Sequence, residues 1–188
     1  MLLVVRHGRT AANAEGLLLG RLDVPLDAEG ERQAARLAAA VGPVDRVISS
    51  PLLRARQTAA AFGLPVEIDE RWVELDYGTY DGTPLREVPD SVWSTWRRDL
   101  SFAPPGGESL ASLGARVRSS LEELADRARS EHVVVVSHVS PIKAAVAWAL
   151  GVSDEVTWRL FVAPASITRI ELSRRGPVLH TFNEVAHR

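Results

Sequence analysis

The chain reads as an α/β protein: a three-layer α/β/α sandwich on a mostly parallel central sheet, with a short insertion over the carboxyl ends of its strands. Two observations predict this. Three short apolar runs, Leu2 to Val5, Arg46 to Ile48 and Val133 to Val136, have the unbroken character of strands buried on both faces. Each is followed within a few residues by a helical pattern, the alternation that builds parallel sheets.

Taken in order, the first run is a strand ending at Arg6-His7-Gly8. Asp27 then caps a helix whose Ala34, Leu37, Ala38 and Val41 fall at i, i+3, i+4, i+7, with Glu29 and Glu31 near its positive end. After the second run, Pro51 suits the first turn of a helix running through Ala61. Pro65 to Ile68 reads as a further strand. A helix from Ser109 to about Arg129 carries Leu110, Leu113, Val117, Leu121 and Leu124 on one stripe, with an Arg/Glu-rich opposite side. After the third run, Ser140-Pro141 opens an Ala-rich helix that stops at Gly151. Ser166 to Leu172 reads as a strand, with Val178 to Phe182 as its hairpin partner across Arg174-Arg175-Gly176. The stretch 76–107 breaks the rhythm with four prolines and the aromatics Tyr77, Tyr80, Trp93, Trp96 and Phe102. It holds no second core, so 188 residues read as one domain with an insertion at about 76–107.

Composition excludes several functions. Apolar residues at 46% and charged residues at 24% describe an ordinary globular chain, not a disordered one. With 22 basic and 24 acidic residues, the net charge of -2 gives no positive excess to hold nucleic acid or an anionic membrane. Absence of cysteine removes disulfides, zinc–thiolate sites, iron–sulfur clusters and thiol nucleophiles. No apolar run approaches the roughly 18 to 20 residues that span a bilayer. The apolar stretch after Met1 meets charge too soon for a signal peptide, which predicts a cytoplasmic protein. Of the 22 basic residues, 21 are arginine and Lys143 alone is lysine, which reads as compositional bias.

The strand ends carry the chemistry. They are Arg6-His7-Gly8, Ser49-Ser50-Pro51 with Arg54 one turn later, and Ser137-His138. Open α/β sheets bind ligands outside the carboxyl ends of their strands, where helix N-termini also point. If these strands are neighbours, two guanidiniums (Arg6, Arg54) and two imidazoles (His7, His138) converge, a set suited to a dianionic phosphoryl group. Arginines beside the histidines, and no nearby Asp or Glu, argue against a metal site. Ser137 lacks the Gly-x-Ser-x-Gly elbow of a serine hydrolase.

The segment Leu3-Val4-Val5-Arg6-His7-Gly8-Arg9-Thr10-Ala11-Ala12-Asn13 resembles the signature of the histidine phosphatase superfamily, the group of cofactor-dependent phosphoglycerate mutases and many phosphomonoesterases. The resemblance continues through Gly20 to Leu26, Ser49 to Ala59, Glu74-Leu75-Asp76-Tyr77-Gly78, Pro105 to Ser109 and Val136-Ser137-His138, in order and over nearly the whole chain. It implies that His7 takes the phosphoryl group as a phosphohistidine. At the model histidine pKa, roughly three quarters of such imidazoles are neutral at pH 7. It implies that Arg6, Arg54 and His138 bind the equatorial oxygens and stabilise the transferring group. Glu74 sits where the phosphatase branch places its proton donor, and Asp76 is the alternative. Asn13 and the backbone at Gly20 are implied in secondary phosphate or substrate contacts. Asn13 and Thr10 read equally as turn and N-cap residues.

Other residues have plainer readings. His132, His180 and His187 read as surface or structural, Glu108-Ser109 as a helix start, and Trp148 as core. Trp93 and Trp96 fit a pocket wall as well as a surface, and Arg97-Arg98 an acidic substrate or solvent.

The resemblance leads to a metal-independent phosphomonoesterase acting on small phosphorylated metabolites without cofactor. The segment Ser137 to Lys143 resembles that of broad-acting acid phosphatase domains. A phosphoglycerate mutase is the alternative within the family, disfavoured because an insertion of about thirty residues is a short lid that admits water. A catalytically inactive phospho-ligand module is the third reading. Edge strands or the Trp-bearing insertion leave a homodimer contact open.

Overall fold

The computed structural model describes residues 1–185, so His187 lies outside the described residues. Its centre is a six-stranded sheet built from β1 (Leu2–Arg6), β2 (Arg46–Ser49), β3 (Val66–Ile68), β4 (Val133–Ser137), β5 (Ser166–Ser173) and β6 (Gly176–Val185). The order is β3-β2-β4-β1-β5-β6. β1, β2, β3 and β4 pair in parallel, while β5 runs antiparallel to β1 and to β6.

Alternation divides the central strands between two faces. Leu2, Val4, Val133 and Val135 point to one core with Leu113, Val117 and Leu121 of α5 (Leu110–Ala128) and Ile142 of α6 (Val139–Leu150). Leu3, Val5, Val134 and Val136 point to the other, with Leu37 of α2 (Ala28–Val41) and Ala55 and Ala59 of α3 (Leu53–Ala60). The expected sandwich is therefore observed.

Local signals explain most helix limits. The Asp27 side chain accepts from Gly30 N at the start of α2, and Ser109 from Ser112 N at the start of α5. Gly151 takes a left-handed φ of 65° after α6, which a residue with a Cβ resists. The second helix differs from expectation: α3 begins at Leu53, and Pro51 precedes its N-cap, Leu52. Its capping acceptor comes from a distant segment, because Leu53 N donates to Asp23 Oδ1 at 2.6 Å. The insertion also contains a helix the periodicity did not reveal, α4 (Asp90–Arg98). Trp96 of α4, 1% exposed, packs edge-on to Tyr77 and Phe102 within the first core. Among the described residues no helix is long and apolar enough to cross a membrane.

Candidate active site

Sheet register assembles the site. Arg6 pairs with Ser137 across β1 and β4, and Ser49 with Val136 across β2 and β4. The next pair in the β1–β4 register, His7 and His138, must then lie side by side at interstrand spacing, about 4.8 Å, while Ser50 falls opposite Ser137. The His7 and His138 rings are indeed 5.0 Å apart between centroids. Ser50 Oγ and His138 Nε2 share a hydrogen bond of 2.7 Å.

The tautomer of His7 follows from its partner. Nδ1 lies 2.7 Å from the carbonyl oxygen of Gly8, which only accepts, so Nδ1 carries the proton and Nε2 keeps its lone pair. Burial, with Arg54 and Arg6 close by, holds the His7 pKa well below the ordinary 6.5 against the opposing Gly8 bond. Burial and then Arg54 do the same to His138. Both rings are neutral at physiological pH.

The two guanidiniums are anchored by main-chain carbonyls. Arg6 Nη1 donates to Val162 O at 2.6 Å. Arg54 Nη1 and Nη2 donate to Leu22 O and Gly20 O at 2.8 and 2.7 Å. Burial lowers the Arg6 pKa to about 10, so it remains cationic; burial lowers Arg54 too, with Glu74, Asp23 and Asp81 favouring its charge. Arg6 Nε, Arg54 Nε and His138 Nδ1 are buried without a hydrogen-bond partner among the described residues. A buried guanidinium N–H without an acceptor is costly, and an oxyanion is a group able to satisfy it.

Glu74 is carried by the segment after the 3-10 turn Glu70–Trp72 and meets the N-terminus of α6. Its Oε1 accepts from Leu75 N (2.8 Å) and Ser140 N (3.1 Å), and its Oε2 from Val139 N at 3.0 Å. Arg6, His7, Asn13 and Glu74 open together onto a cavity of about 470 Å³ whose walls include Tyr77, Trp93, Trp96, Lys143 and Phe161. Arg54 and His138 lie behind this wall, both 0% exposed. Among the described residues, no group of three or more His, Cys, Asp or Glu side chains is placed to hold a metal ion.

A family model, histidine phosphatase superfamily (branch 1), matches residues 2–185. The chain belongs to this superfamily. Similar proteins include the bifunctional protein Rv2228c of Mycobacterium tuberculosis, 35% identical over 93% of this chain and 51% of the relative. The chain thus spans about half the length of the first curated relatives it matches. Phosphoserine phosphatase 1 of Hydrogenobacter thermophilus is 34% identical, covering 99% of this chain and 93% of the relative. Among solved structures, a mutant phosphoserine phosphatase from Entamoeba histolytica in complex with phosphoserine superposes with a TM-score of 0.91 at 28% identity, covering 99% and 98% of the two chains. Mycobacterial glucosyl-3-phosphoglycerate phosphatase with VO3 gives a TM-score of 0.86 at 30% identity, covering 97% and 98%.

In this superfamily member the remaining sequence candidates separate clearly. Asn13 is placed as the helix-start residue of its plainer reading, at the edge of the cavity. Its Oδ1 accepts from Thr10 N while Thr10 Oγ1 accepts from Asn13 N, a reciprocal capping box on α1 (Ala11–Ala14). Gly20 has both backbone groups committed, its carbonyl to Arg54 and its N–H to Asp81 Oδ1 at 2.7 Å. Asp76 turns away to accept from Gly78 N at 2.9 Å and does not line the cavity. Trp93 and Trp96 are both cavity walls; Arg97 lies over the Trp158 ring at 5.9 Å. His180 pairs with Glu171 at 2.7 Å, and the exposed His132 precedes β4. Trp148 is half-buried against the core.

Several supporting residues escaped the sequence reading. Thr58 Oγ1 accepts from Gly8 N and donates to Arg54 O, linking two site segments. Asp81 accepts from the N–H groups of Gly20, Arg21 and Leu22 and so fixes the loop that holds Arg54. Arg116 donates to the carbonyls of Arg71 and Glu74 while paired with Glu108 at 2.8 Å. Their only sequence signal is polarity, because each acts across a long stretch of chain.

Proposed function

We propose that the chain hydrolyses small phosphomonoesters in two steps through a phosphohistidine on His7. The observation that carries this reading is the His7 Nδ1–H donated to Gly8 O, which leaves the Nε2 lone pair free for in-line attack. In the first step the His7 Nε2–P bond forms and the ester P–O bond breaks, while Glu74 gives its proton to the departing alkoxide. In the second, Glu74 takes a proton from water, the water oxygen bonds phosphorus, and the P–N bond breaks to release inorganic phosphate. Arg6, Arg54 and His138 stabilise the charge on the transferring group throughout. In the tautomer where Ser50 O–H donates to His138 Nε2, His138 donates through Nδ1, the nitrogen without a partner among the described residues. The substrates for which similar proteins are named, phosphoserine and glucosyl-3-phosphoglycerate, support small phosphorylated metabolites as the substrate class.

The test is a rapid alkaline quench of the protein with 32P-labelled phosphomonoester. Wild type should retain acid-labile, base-stable label, and His7→Ala none. Glu74→Gln should lower turnover by about 100- to 10,000-fold while vanadate inhibition persists. A rate left intact in Glu74→Gln but lost in Asp76→Asn would transfer the proton role to Asp76. Activity should survive a chelator. Isomerisation of 3-phosphoglycerate in the presence of 2,3-bisphosphoglycerate, in place of free phosphate, would make the chain a mutase. Tight phosphate binding with no label would make it a binding module.

A further inference from the structure

Lys143 is the only lysine in the chain, and it stands in the wall of the candidate active-site cavity. It lies on α6 one turn beyond Val139 and Ser140, the residues whose N–H groups hold Glu74. Positions i, i+3 and i+4 share a helix face, so all three point into the same space. Lys143 makes no hydrogen bond and no ion pair among the described residues. The carboxylate that favours its charge, Glu74, already accepts from three main-chain N–H groups. A partly desolvated ammonium gains further when an anion reaches it. Burial lowers the Lys143 pKa, with Glu74 opposing the shift and Arg6 adding to it.

Beside these polar groups, much of the chamber wall is apolar. Trp93, Trp158, Leu160 and Phe161 line it, and Phe161 is 70% exposed, an unusual state for a phenylalanine at a cavity rim. Trp93 and Trp158 meet edge to face at 6.3 Å.

Resting on the phosphohistidine reading above, we propose that Lys143 is a specificity-determining residue. It receives a second anionic group on a phosphomonoester whose organic part is apolar or aromatic. The phosphoryl group occupies the Arg6–His7 end, the apolar body lies against the tryptophans and Phe161, and the second anion meets the Lys143 ammonium. A neutral aliphatic ester leaves that ammonium unpaired, and a small, wholly polar ester leaves the aromatic walls bare.

The experiment compares kcat/KM for phenyl phosphate and carboxyphenyl phosphate, which differ by one carboxylate. Wild type should favour the carboxylated ester by about 10- to 100-fold, the range expected for one charge-assisted hydrogen bond. Lys143→Met should bring that ratio close to one through a higher KM for the carboxylated ester, and Lys143→Arg should restore part of it. A wild-type ratio near one, or a ratio unmoved in Lys143→Met, overturns the proposal. An equal loss of kcat on both esters in Lys143→Met, with the ratio retained, also overturns it, because the lysine then serves the chemistry. If wild type hydrolyses neither ester, the hydrolytic reading falls and this one with it. Phenyl phosphate turned over without a carboxylate preference overturns this one alone.

Discussion

His7 and His138 are buried imidazoles whose pKa values both lie well below 6.5, chiefly because burial disfavours the charged ring beside two arginines. The unfolded chain binds protons at these residues as pH falls through about 6.5, while the folded chain does not. Their contribution to stability is therefore complete above that pH and is lost on acidification. Each histidine adds up to about 1.4 kcal/mol per pH unit, so the pair should lower the unfolding free energy by about 2 kcal/mol between pH 6.5 and 5.5. Urea titrations of the ligand-free protein across that interval would measure the fall, and His7→Gln should halve it. Carboxylates whose pKa values are lowered, such as Asp69 and Glu108, act below this window, since their ordinary values are 3.8 and 4.5. A flat profile from pH 7 to 5.5 would show that the rings take up protons in the folded state.

At the scale of elements, the loop after β1 is pressed against the start of α2 with no room to spare. A Cβ on Gly8 would stand 2.3 Å from Gly30 O, a main-chain atom that cannot rotate away. Gly8→Ala should therefore cost about 1 to 3 kcal/mol or more, as overpacking does, and displace the adjacent His7. Denaturant midpoints and His7 labelling by 32P would check both effects; an unchanged midpoint would mean that α2 yields easily. Legibility from sequence followed the same distinction between local and distant contacts. Caps supplied by neighbouring residues were readable: Asp27, Ser109 and Gly151 act where composition placed them. The start of α3 was not, because its acceptor is Asp23 from another loop. Nor was α4, whose helix begins after Pro89 and buries Trp96 in a core that other segments complete.

Across the whole molecule, the sheet was legible because the valine runs declare strands buried on both sides and strand ends predict where ligands bind. The convergence of Arg6, His7, Arg54 and His138 required one further premise, that β1, β2 and β4 are neighbours, and the order β2-β4-β1 supplies it; Glu74 entered only through the family resemblance. The place of Lys143 in the cavity wall is not legible in the sequence, since nothing local marks a helix residue as a cavity wall. The meeting of His7, Ser50 and His138 has a kinetic consequence. Parallel neighbours so distant along the chain come together only after long loops have closed, a slow event compared with helix formation. During refolding, enzymatic competence should return with amide-exchange protection of Val134 and Val135 and lag behind helical circular dichroism. Competence arriving with the early helical signal would mean that these three side chains meet before the strands beneath them have zipped.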